Sequence, residues 1–162
     1  MSNFEGTVLQ TCNLSIDSIS NSNNIWQIGQ PQKNIFDSAS SLPNAIVTDL
    51  TNPYSINDTS SFIITHVAGM GFWMGHTFDL SFDYFVDTDS LNDYGIIEFS
   101  PDNGATWCNL NDNSTYCFWW NGLNNAFFLT GSSNGWVNAQ AIIYFNSFNI
   151  TAPPTYRSQK NL

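Results

Sequence analysis

Three carboxylates crowd one short stretch of this chain: Asp87-Thr-Asp89 and Asp93. That spacing suits a hard cation, because calcium is held by a shell of carboxylate and neutral oxygens. The stretch is not an EF-hand, since the central Gly and terminal Glu are absent. A plainer reading stays open: scattered acidic groups keep a chain with few positive charges soluble. Aromatic residues form a second candidate site. Phe118-Trp119-Trp120, Phe127-Phe128 and Trp136 fall in one region rich in Asn and Gly, and Trp73 sits in the apolar loop Gly69-Met-Gly-Phe-Trp-Met-Gly75. An exposed indole beside amide side chains is the chemistry of a sugar-stacking surface. Neighbours on a strand point to opposite faces, so one of Trp119 and Trp120 is expected in the core. The alternative is that every one of these rings is core or sheet cover.

Catalytic signals are thin. His66 and His76 are the only histidines, with Asp79 and Asp83 as potential partners. No nucleophile elbow, His-Glu-x-x-His motif or Gly-rich phosphate loop accompanies them. A glycosidase needs two facing carboxylates, and the only glutamates are Glu5 and Glu98. The expectation is a protein without catalytic residues.

Lys and Arg total 3 against 13 Asp and Glu, a formal charge of -10. A phosphate binder displaces counterions with Lys and Arg, so nucleic acid is not an expected partner. No apolar run approaches the roughly 18 residues of a membrane span, so membrane insertion is not expected either. The start, Met1-Ser-Asn-Phe-Glu5, has neither the basic nor the apolar part of a signal peptide. Three cysteines, Cys12, Cys108 and Cys117, leave one without an intrachain mate. Cys108 and Cys117 flank a turn-rich stretch. They are either a hairpin disulfide of an oxidising compartment or two half-buried thiols. Sequons at Asn13, Asn57, Asn113 and Asn149 carry little weight in so Asn-rich a chain.

The elements that must position these residues are strands. Charged residues make up only 10% of the chain, so Asn, Ser, Thr and Asp supply the polar surface. These are turn formers and poor helix formers. Residues 77–87 alternate apolar and polar until Phe85, which predicts a long half-buried strand. Residues 94–100 predict the next. Pro101-Asp-Asn-Gly104 is a turn, because Pro presets φ and Asn-Gly accepts positive φ. Further strands are expected at 6–12, 25–28, 45–50, 61–67, 117–120, 126–129 and 136–148, the last as one buried strand or two short ones. No helix is expected. Short strands between Asn/Gly/Ser turns are the pattern of a sandwich or barrel. The 152–162 tail, with Pro153-Pro154, reads as irregular, so the domain is expected to span 1–151.

The order of motifs is more specific than any one of them. Phe4-Glu5, Ile25-Trp-Gln-Ile-Gly-Gln-Pro31, Ala45-Ile-Val-Thr-Asp-Leu50, Tyr54, Leu80-Ser-Phe-Asp-Tyr84, Asp93 to Trp107 and Trp136 follow in sequence. This series resembles the jelly-roll accessory modules of secreted bacterial proteins. Among them are the module of immune-inhibitor-A-type metallopeptidases, the cleaved-adhesin domains of gingipain-like proteins and, more distantly, the MAM domain. The resemblance covers about residues 4–145 and implies an all-β, two-sheet antiparallel sandwich of jelly-roll type, with Trp26 and Trp107 in its core. It implies a structural calcium held by the early acid, here Glu5, and by acids of a closing strand. That closing pattern is not recognisable before Leu162. The expected sandwich therefore lacks its closing strand, by truncation, by alteration, or by completion from another chain.

Two functions follow as expectations. One is a non-catalytic binding or adhesion module of a larger exported or cell-surface protein, with a glycan or protein surface as ligand. The other is a structural spacer, or the accessory domain of a secreted metallopeptidase, touching only neighbouring domains.

Overall fold

The computed structural model describes residues 12–16, 19, 21–66, 77–90, 92–100, 103–109, 118–120, 128–144 and 155–161. These residues contain strands and no helix. The strands are β1 (Cys12–Ile16), β2 (Trp26–Gly29), β3 (Ala45–Thr48), β4 (Ser60–His66), β5 (Thr77–Tyr84) and β6 (Tyr94–Ser100). They continue with β7 (Cys108–Asn109), β8 (Phe118–Trp120), β9 (Phe128–Thr130), β10 (Val137–Tyr144) and β11 (Thr155–Asn161). All pairings are antiparallel.

The larger sheet runs β1-β4-β11-β6, with β7 and β9 sharing the far edge of β6. A second sheet runs β5-β10-β8, and β2 and β3 form a separate ribbon. From β4 to β6 the chain alternates between the two larger sheets, and from β8 to β11 it does so again. That alternation is the jelly-roll form of an antiparallel sandwich. The expected all-β class is therefore the observed one.

Local sequence explains most boundaries. The alternation of β5 breaks at Phe85, and the strand stops at Tyr84. Asn103 and Gly104 both take positive φ, 59° and 89°, as the Asn-Gly turn requires. Residues 137–144 make one eight-residue strand at the centre of its sheet. Asp49 adopts φ 61° and ends β3 two residues before the expected limit.

The tail is a correction. Residues 155–161 are not irregular. They form β11, paired with β4 on one side and β6 on the other. The closing strand that the sequence seemed to lack is thus present, at a central position. It was missed because Thr155-Tyr-Arg-Ser-Gln-Lys-Asn161 shows no apolar alternation. Two backbone ladders hold it, and their partners lie some 60 and 90 positions earlier by register (Lys160 opposite Gly95 and Ser60).

Burial follows the layers. Ile96, Ile97 and Phe99 of β6 and Ala139 of β10 are buried. Adjacent Ile96 and Ile97 point to opposite faces, so β6 is covered on both. Against the ribbon, Ala39, Ala45 and Val47 form a small core closed by Phe36, Leu50 and Trp136. Trp26 and Trp107 are half-buried.

Candidate functional site

The acidic stretch 87–93 sits in a knot of hydrogen bonds where three loops meet. Asp87 bridges Ser132, which ties the end of β5 to the start of β10. The Thr88 amide donates to the Gly131 carbonyl at 2.9 Å, and the Gly131 amide returns a bond to Thr88 Oγ1 at 2.9 Å. The Asp93 carbonyl accepts two hydroxyls, Thr88 Oγ1 at 3.1 Å and Thr130 Oγ1 at 2.7 Å. Both lone pairs of that oxygen are thereby used. Asn92 and Asp93 amides close a turn on the Asp89 carbonyl at 3.2 and 2.9 Å. Ser133 completes the frame: its amide donates to Val86 at 2.9 Å, and its hydroxyl accepts the Val86 amide at 3.1 Å.

Tyr54 locks a third loop onto this frame. Its hydroxyl donates to Asp93 Oδ2 at 2.6 Å. Burial pushes the phenol up to about 12, and the Asp93 carboxylate adds to the rise. Asp93 is therefore engaged with Tyr54, whereas the side chains of Asp87 and Asp89 are exposed. Among the described residues no three of His, Cys, Asp or Glu gather to hold a metal ion. The three expected carboxylates share a loop without converging, and Glu5 lies outside the described residues.

The knot leaves a polar rim. Asp87, Asp89, Ser90, Asn92, Ser132 and Asn134 are exposed around it. Asn134 takes φ 54°, which its short amide side chain tolerates. Carboxylates, amides and hydroxyls are held there on a backbone with few free torsions, an arrangement able to accept and donate hydrogen bonds to a polyhydroxylated ligand.

No protein-family model, curated protein or solved structure matches this chain.

The aromatic candidates separate. Trp136 belongs to a packed trio. It meets Phe36 and Phe85 edge-on at 6.0 and 5.9 Å, and those two rings stack at 4.7 Å. Its indole N–H donates to the Ser38 carbonyl at 3.0 Å. Trp119 and Trp120 lie on β8 opposite Ile143 and Ile142, which puts them on opposite faces of that sheet's edge. Their side chains, Trp73, His76 and Cys117 lie outside the described residues. Cys108 is on β7 opposite Phe99, and His66 ends β4 opposite Cys12.

Sequence reasoning missed Lys33, one of only three basic residues. It is 8% exposed. Its ammonium donates to the Thr48 carbonyl and lies 5.8 Å over the Phe36 ring. Burial pulls its pKa down, and Asp49 offsets part of that. The ammonium ties the 30–37 loop to β3. An open hollow of about 630 Å³ borders this loop, but all its lining comes from residues 30–37. The available signal was position: Lys33 follows the Trp-x-x-Gly-x-Pro motif directly.

Proposed function

We propose that this chain is a non-catalytic binding or adhesion module that works outside the cell, with its ligand surface on the rim of the 87–93 loop knot. The supporting observation is the Tyr54–Asp93 lock together with the hydroxyl pair on the Asp93 carbonyl. Loops so fixed present Asp89, Asn92 and Asn134 with little ordering cost on binding. A glycan fits this chemistry, since its hydroxyls both donate and accept.

The test is a glycan array with the intact chain. Binding that falls in Asp89→Ala, Asn92→Ala and Asn134→Ala supports the rim. A rim-independent signal lost in Trp119→Ala or Trp120→Ala moves the ligand surface to β8. An array with no bound glycan removes the glycan reading. A structural spacer or accessory-domain role is the second reading, and one observation favours it: Trp136 is spent on packing against Phe36 and Phe85.

A further inference from the structure

Three buried polar atoms lack hydrogen-bond partners: Asp58 Oδ2, Ser60 Oγ and Trp26 Nε1. Such atoms are rare in folded proteins, and each calls for a physical explanation. Asp58 is 8% exposed and Ser60 only 1%. Thr59 between them is exposed. The alternation puts Asp58, Ser60 and Phe62 on one face of the chain entering β4. Trp26 packs on that same face, its ring edge-on to Phe62 at 4.8 Å.

The backbone of this stretch is already engaged along its edges. Asn21 and Asn24 side chains donate to the Thr59 and Ser61 carbonyls on one side. Ser60 pairs in register with Lys160 of β11 on the other. The unsatisfied side-chain oxygens therefore belong to the buried face. A carboxylate oxygen buried there without a donor is strongly unfavourable unless something positive or hydrogen-bearing meets it.

We propose that Asp58 and Ser60 form a binding site for a calcium ion at the entrance to β4, separate from the 87–93 loop. Calcium accepts one carboxylate beside neutral oxygens and keeps some of its waters. The Asp58 carboxylate and Ser60 hydroxyl are ligands of that kind. A water retained by the ion would accept the Trp26 indole N–H. One hydrated ion thus supplies a partner to all three orphaned atoms.

The experiment is a thermal-unfolding titration of the intact chain with calcium chloride after exhaustive dialysis against EDTA. The midpoint of the wild type is expected to rise by about 5–10 °C at calcium a hundredfold above Kd. Asp58→Asn keeps the shape and removes the charge, and it should abolish the rise. Ser60→Ala should move the rise to higher calcium, and it serves alone if Asp58→Asn does not fold. Asp89→Asn should respond as the wild type does. No rise in the wild type, or an undiminished rise in both Asp58→Asn and Ser60→Ala, overturns the proposal; the first result leaves ordered water as the partner of these atoms. A rise lost in Asp89→Asn but kept in Ser60→Ala also overturns it and moves the ion to the 87–93 loop.

Discussion

The Tyr54 hydroxyl reaches across 39 positions of sequence to the Asp93 carboxylate, 2.6 Å away. One short bond thereby joins the loop after β3 to the loop before β6. A hydrogen bond to a charged acceptor contributes about 1.5–3 kcal/mol. Tyr54→Phe should lower stability by about that amount in urea unfolding. A double-mutant cycle with Asp93→Asn should show coupling, whereas strict additivity would mean that the bond carries no energy.

The same phenol sets an alkaline limit. Its folded-state pKa of about 12 lies above the ordinary value of 10.0. The folded state therefore keeps a proton that the unfolded state releases between those values. The contribution is complete below pH 10 and disappears as pH rises toward 12. Alkaline unfolding followed by circular dichroism should show this component, and Tyr54→Phe should lack it.

Two carboxylates act at the acid end. Backbone amides of Asn52 and Thr51 hold Asp49 below the ordinary carboxylate range, at 2.9 and 2.8 Å. The Ser40 hydroxyl and the Asn138 amide do the same for Asp83. Their stabilising effect is present above the ordinary pKa of 3.8 and is lost as pH falls through the lowered values. In a carbon-detected NMR titration, Ser40→Ala should return Asp83 toward 3.8 and leave Asp49 unchanged.

Asp49 also sits at φ 61°. Asn tolerates that conformation and Ala does not. Asp49→Ala should cost about 1–2 kcal/mol of strain beyond the lost turn bonds. Asp49→Asn should cost less, by thermal denaturation; equal losses would mean that backbone strain is not the cause.

Trp136 should behave as a packing residue. Trp136→Phe gives up the bond to Ser38 and should cost about 1 kcal/mol. Trp136→Ala also removes the ring from Phe36 and Phe85, with a loss on the order of 3 kcal/mol. Glycan binding in Trp136→Phe should match the wild type.

Deleting 155–161 should abolish cooperative unfolding. It removes a strand paired on both sides and leaves β4 and β6 with bare facing edges. A truncated chain with native chemical-shift dispersion would contradict this.

By itself the sequence determined the strand class and most strand positions. Alternation is local, and so are the Asn-Gly turn at 103–104 and the break at Phe85. The acidic stretch at 87–93 was equally visible, because it is contiguous. Tertiary structure alone decided what those acids do: Asp93 turns to Tyr54, which no spacing rule connects to it. It also decided that a polar tail becomes a central strand. Ladder hydrogen bonds use backbone atoms that every residue but proline carries, so composition gives no warning of them. Burial of Lys33, Asp58 and Ser60 was likewise invisible, since each is a surface residue type whose cost is met by partners far along the chain. The three carboxylates that first suggested a cation thus became a loop frame. The best oxygen pair for an ion lies instead where β4 passes beneath Trp26.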